Sequence, residues 1–144
     1  MGTTKNAGSA LDDIKVHVKV KLSALWASAM FCYVYGDYFL LYQPGKLRDI
    51  LAGNMAPLGP VTQGVLLFTS VSMAIPAAMI FLSLALKASL SRWLNIVVGL
   101  LYTAFVLITM PGAWAFYLFL GSVDVLLTGL IVWYAWTWPR QGAA

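Results

Sequence analysis

The chain has one cysteine (Cys32), one histidine (His17) and no glutamate. A single cysteine excludes an intrachain disulfide and a cysteine-rich metal site. His17 lies in a basic tail and Cys32 inside an apolar run, so thiol–imidazole catalysis is not expected. Charge is scarce as well. Only 10% of the residues are charged and 61% are hydrophobic, where a soluble domain has about a quarter charged and about half apolar. That balance argues against an ordinary soluble domain and for a membrane protein. No Walker loop, HExxH zinc pair, GxSxG elbow or dinucleotide fingerprint occurs. The chain is therefore expected not to be an enzyme and to carry no metal or cofactor.

Four apolar stretches are present. A helix needs about 20 mostly apolar residues to cross the hydrocarbon core, and four such stretches with their connections use nearly all of the 144 residues. The expected fold is all-α: one integral membrane four-helix bundle, residues 22–139. Its spans fall at about 22–42, 61–86, 93–110 and 114–138, between cytoplasmic tails of residues 1–21 and 140–144. Turn signals separate the spans at Gln43-Pro44-Gly45, Pro57 to Pro60, and Pro111-Gly112. Leu47, Ile50, Leu51 and Met55 recur at helical spacing in the first connection, which predicts a short interfacial helix broken by Gly53.

The tail has its own signals. Ile14 to Lys21 alternates apolar and basic residues, a strand period with no partner strand, so a frayed or interfacial flank is expected. Position 6 is Asn, which breaks the myristoylation pattern. Ala27-Ser28-Ala29 looks like a signal-peptidase site, but Leu22 to Trp26 is too short an apolar region before it, so the segment is expected to be retained.

Lys and Arg set the orientation. Lys5, Lys15, Lys19, Lys21, Lys87, Arg92 and Arg140 lie on one side and only Lys46 and Arg48 on the other, which places both termini in the cytoplasm. Because these charges flank apolar segments, they imply the bilayer as partner and not nucleic acid.

Asp37 and Asp124 carry the most information, since both fall inside spans. An Asp at mid-membrane costs about 2.5–3.5 kcal/mol and normally faces a bundle interior or a wet cavity. By helix rise Asp37 is about 8 Å, and Asp124 about 15 Å, from the outer end of its span. Each lies on a polar stripe: Met30, Tyr33 and Asp37 in the first span, and Tyr117, Gly121, Asp124 and Thr128 in the fourth. The third adds Asn95, Gly99, Tyr102 and Thr109, and the second adds Thr62, Thr69, Met73, Pro76 and Ser83. The candidate ligand-binding residues are Asp37, Asp124, Tyr33, Tyr102, Tyr117, Asn95 and Thr128. The competing reading is interhelical glue. Pro76 is expected to kink its helix and free a carbonyl. Small residues recur every fourth position at Ala24, Ser28, Cys32 and Gly36, and again at Ser70, Ala74 and Ala78. Such stripes pack one bundle or form a homodimer seam.

The runs Lys21-Leu-Ser-Ala-Leu-Trp26, Tyr33-Val-Tyr-Gly-Asp37, Ile75-Pro76-Ala-Ala-Met79-Ile-Phe-Leu-Ser83, Arg92-Trp-Leu-Asn95-Ile96 and Ile131 to Pro139 carry a resemblance. Over about residues 18–139 the chain resembles a family of small bacterial four-helix membrane proteins of unknown function. At position 124 that family's pattern is acidic and more often Glu. The resemblance implies the same topology and a bacterial inner-membrane setting, and it carries no activity. DoxX-like bundles are a looser likeness at the level of fold.

Three functions follow from these residues. The leading one is a membrane protein that binds or transports a small solute or cation through Asp37 and Asp124, as a homodimer because one small bundle encloses little volume. The second is an accessory or structural membrane protein. An intramembrane enzyme comes last, for want of a nucleophile or metal set.

Overall fold

The computed structural model describes residues 14–139. Residues 1–13, with Lys5, and the tail 140–144, with Arg140, lie outside the described residues. Five helices follow one another: α1 (Val18–Leu40), α2 (Lys46–Leu51), α3 (Gln63–Ala85), α4 (Ala88–Thr109) and α5 (Ala115–Trp136). Among the described residues the only strand-like pairing is an isolated bridge between Asn54 and Pro60, so the described structure is all-α.

Two helices begin earlier than their hydropathy indicates, and tertiary contacts explain both. The alternating Val18-Lys19-Val20-Lys21 belongs to α1 and is not a frayed flank. The Lys19 ammonium donates to the carbonyls of Leu84 (3.1 Å) and Leu86 (2.5 Å) at the end of α3, where a helix leaves carbonyls unpaired and favours a cation. Lys21 lies over the Tyr134 ring, 5.1 Å from its centre. Helix α4 begins at Ala88 and not near Trp93. Its polar first turns look like a loop in sequence, yet Ser91 is fully buried and its hydroxyl donates to the Ser83 carbonyl at 3.1 Å. At the other side, the Thr62 side chain caps α3 by accepting from the Val65 amide. Gly112 takes φ 77 in the tight turn between α4 and α5, a conformation that favours glycine.

Helix α1 packs on α3 and α5, and α4 packs on the same two, so the four long helices close a ring of antiparallel neighbours. Buried residues recur at three- and four-residue steps along each helix: Leu22, Trp26, Ala29 and Gly36; Pro76, Met79 and Ser83; Ser91, Asn95, Gly99, Tyr102 and Val106; Gly121, Asp124, Thr128, Ile131 and Ala135. The main apolar cluster, Leu22, Trp26, Met79, Ile96, Ile131 and Ala135, fills the end of the ring where the basic residues lie. The other half is looser. No residue of α3 before Pro76 is buried.

Helices α3, α4 and α5 are long and apolar enough to cross a membrane. Helix α1 has 23 residues, as many as α3, but Tyr33, Tyr35, Asp37 and Tyr38 make it less apolar. Large apolar side chains, among them Phe31, Leu67, Phe68, Phe81, Leu101, Ile108, Phe119 and Leu126, point outward from all four long helices. An apolar surface that wide is foreign to a soluble monomer. The short helix in the first connection is present as α2, with Leu47 and Leu51 exposed.

Candidate functional site

The ring contains two buried polar clusters of different character. The first, near the basic end, centres on Asn95. Its side-chain oxygen accepts from the Trp26 indole (2.8 Å) and from the Ser83 hydroxyl (3.1 Å), and its amide donates to the Ser91 carbonyl (2.8 Å). All four residues have no exposed surface. Three helices are thereby joined and every polar side-chain atom has a partner, which is the condition for a stable buried network. Next to it, the hydroxyls of Thr103 and Thr128 lie 2.7 Å apart across α4 and α5, and Thr128 bonds back to the Asp124 carbonyl at 2.9 Å.

Tyr102 has a task of its own. Pro76 has no amide hydrogen, so the Ser72 carbonyl one turn before it loses its helical donor. The Tyr102 hydroxyl donates to that carbonyl. Helix α3 therefore has no free carbonyl at this point, and the rings of Trp26 and Tyr102 meet edge to face at 6.2 Å between centres.

The second cluster lies toward the opposite end and surrounds a cavity of about 70 Å³. Cys32, Tyr33, Gly36 and Asp37 of α1, Met73 of α3, Phe105 and Val106 of α4, and Tyr117, Leu120, Gly121 and Asp124 of α5 line it. Asp124 is 1% exposed. Both of its carboxyl oxygens are buried without a hydrogen-bond partner, and so is the Tyr33 hydroxyl. That hydroxyl and the carboxyl share the cavity wall without a hydrogen bond between them. Asp37, one turn further out on α1, is exposed. The cavity thus has an open rim at Asp37 and a closed floor at Asp124. By helix rise the rim is about 5 Å from the end of α1 and the floor about 14 Å from the start of α5.

Asp37 and Phe105 help to show where the cavity opens. On α1, Asp37 is almost opposite Phe39, whose ring meets Phe116 of α5 at 6.3 Å, so Asp37 lies on the side toward α3. Phe105 lies on the face of α4 away from the Thr103–Thr128 contact with α5, and it is half exposed. The rim therefore lies on the side of the loosely packed half of α3 that precedes Pro76. Gly36 contributes space: a Cβ built there meets nothing within 4 Å, although the residue is buried.

Of the seven candidate residues, Tyr33, Asp37, Tyr117 and Asp124 come together on the cavity wall. Asn95, Tyr102 and Thr128 do not line it. Their polar groups are engaged in the interhelical contacts above, which is the glue that the polar stripes also allowed. Cys32, Gly36, Met73, Phe105, Val106, Leu120 and Gly121 were not among the candidates. Cys32 and Gly36 lie on the small-residue stripe and Met73 and Gly121 on polar stripes, so pattern pointed to those four. Nothing in the sequence marks Phe105, Val106 or Leu120, which differ from other apolar residues only in what they face. Among the described residues no three His, Cys, Asp or Glu side chains gather as a metal site.

No curated protein and no solved structure matches the chain, so the looser likeness to DoxX-like bundles gains no support from them. Residues 12–144 match the family of unknown function DUF6326. That span includes every element of the fold and the whole cavity wall, and the chain belongs to the DUF6326 family.

Proposed function

We propose that the chain is a four-span protein of the bacterial inner membrane, with both termini cytoplasmic, that takes a small cation from the outer side into the cavity above Asp124, as a binding or transport protein. Four observations support the topology. Helix α1 is a full member of the ring, packed on α3 and α5. The outward surface of all four helices is apolar. Lys and Arg are gathered at one end. Helix α2 exposes Leu47 and Leu51, as a helix lying in the interface would.

One observation carries the function: a buried carboxyl with no partner on either oxygen, on the wall of a cavity that opens beside a second carboxyl. A buried carboxylate costs several kcal/mol unless a cation or a proton neutralises it. Here no basic side chain lines the cavity. The rings of Tyr33, Phe105 and Tyr117 complete a wall that suits a cation further. The volume limits the ligand to a few atoms, about the room of a few water molecules. Toward the basic end the Asn95 cluster seals the path. Cys32 has no imidazole to activate it, since His17, the one histidine, is about 22 Å away along α1, so binding and transport are favoured over catalysis.

The test is binding of methylammonium and sodium to the purified protein in lipid nanodiscs, by calorimetry. The expected result is that Asp124→Asn loses binding at least tenfold with an unchanged helical spectrum. Unaltered binding by a folded Asp124→Asn protein would remove the proposal. A second reading, packing against another copy or another membrane protein, draws on one feature: Ser70, Ala74 and Ala78 form an exposed stripe on α3 and do not pack inside the chain. Cross-linking of Ala74→Cys in native membranes checks it.

A further inference from the structure

We propose that the basic end of the ring carries a second site, independent of the outer cavity, for a phosphate group. A groove of about 880 Å³ lies between the segment leading into α1, the start of α4, and the chain that follows α5. Lys15, His17, Lys19, Ser89, Arg92 and Trp138 line it, and no carboxylate occurs among its described lining residues. Three cations, Lys15, Lys19 and Arg92, therefore line it from the α1 side and from α4.

Lys19 and Arg92 play different parts. The Lys19 ammonium is bonded to the end of α3 and contributes charge. The Arg92 guanidinium has five N–H donors; one makes a long 3.5 Å bond to the Trp136 carbonyl and the Nε donor is buried without a partner, which leaves the other terminal N–H groups for a ligand. Helix α4 starts at the groove wall, and its N-cap residue, Lys87, provides no side-chain cap. The amides of Ala88, Ser89 and Leu90 are thus without helical acceptors, at the positive pole of a 22-residue helix. A forked guanidinium, a row of helix-end amides and a nearby hydroxyl suit the several oxygens of a phosphate. Trp138 adds the amphipathic wall common at a headgroup level.

The phosphate has two sources, the headgroup of an anionic lipid or phosphate free in solution. The experiment uses the full chain in neutral detergent. Phosphatidylglycerol retention is counted by native mass spectrometry against phosphatidylcholine, and inorganic phosphate is titrated separately. If the source is lipid, phosphatidylglycerol is retained and phosphatidylcholine is not. If it is free phosphate, millimolar inorganic phosphate binds and competes with phosphatidylglycerol. In either case Arg92→Gln weakens binding about fivefold, the effect of one basic charge near a headgroup. Lys15→Gln, outside every helix and so without consequence for folding, has a similar effect. The Lys46→Gln/Arg48→Gln pair at the opposite end leaves binding unchanged, and so does Asp124→Asn. Equal retention of the two lipids with no binding of inorganic phosphate, or an equal loss in the Lys46/Arg48 pair, overturns the proposal.

Discussion

Asn95 and Asp124 make a controlled comparison within one molecule. Both are polar, both are buried to within 1% of complete, and both sit on the inner stripe of a long apolar helix. Around Asn95 every polar side-chain atom is paired and the helices are in close contact. Around Asp124 two carboxyl oxygens and a tyrosine hydroxyl are unpaired and the helices stand apart around a cavity. A polar residue inside an apolar ring is therefore not informative by itself. Whether its partners are supplied from within the chain separates a fastening from a place for a ligand.

Substitution of the two residues should give opposite results. Asn95→Leu leaves the Trp26 indole and the Ser83 hydroxyl without their acceptor, and each unsatisfied group costs about 1–3 kcal/mol. The expected loss is about 2–4 kcal/mol, read from unfolding in mixed micelles. Asp124→Leu should leave stability unchanged or raise it by about 1 kcal/mol, because it removes an unpaired buried group, while it abolishes cation binding. A large destabilisation by Asp124→Leu would erase the distinction between the clusters.

Two glycines extend the comparison. A Cβ on Gly99 comes within 2.9 Å of Val132 Cγ2, so Gly99→Ala should cost about 1–3 kcal/mol by overpacking the α4–α5 contact. Gly36→Val points into the cavity and should leave stability nearly intact, yet weaken methylammonium binding with both carboxyls in place. Calorimetric titration beside a thermal melt separates the two outcomes.

The proline of α3 offers a finer measurement. Tyr102→Phe removes the donor to the Ser72 carbonyl and should cost about 0.6–1 kcal/mol, the size of an interhelical hydrogen bond in a membrane. In a Pro76→Ala background the helix recovers its own donor, so the same change should cost less. A double-mutant cycle with no coupling would show that the tyrosine does not serve the carbonyl that Pro76 leaves unpaired. The smallest expected effect is that of Asp37→Asn, which is exposed at the rim: less than about 0.5 kcal/mol in stability, with a severalfold loss of affinity.

The inner faces of α4 and α5 were readable as stripes: Asn95, Gly99 and Tyr102 are buried, as are Gly121, Asp124 and Thr128. On α1 only half of the stripe faces inward. Tyr33 faces inward, but the buried line runs through Leu22, Trp26, Ala29 and Gly36, and Asp37 stands at its edge. Apolar Leu22 and Trp26 gave no pattern against an equally apolar outer face, because lipid and protein interior are alike in polarity. For the same reason the outward Ser70–Ala74–Ala78 stripe and the inward Pro76–Met79–Ser83 line of α3 could not be ordered by composition.

The sequence by itself determined the number of helices, the places of the turns and the short helix between the first two long ones. These depend on local terms, namely the length of apolar runs, proline and glycine at the breaks, and spacing along one helix. Only the tertiary structure decided which polar residues fasten and which line a cavity. Satisfaction of a hydrogen bond is a property of pairs, and the partners of Asn95 lie 69 residues away at Trp26 and 12 away at Ser83. The cavity at Asp124 exists because four helices do not quite meet, and that gap cannot be read from any one of them.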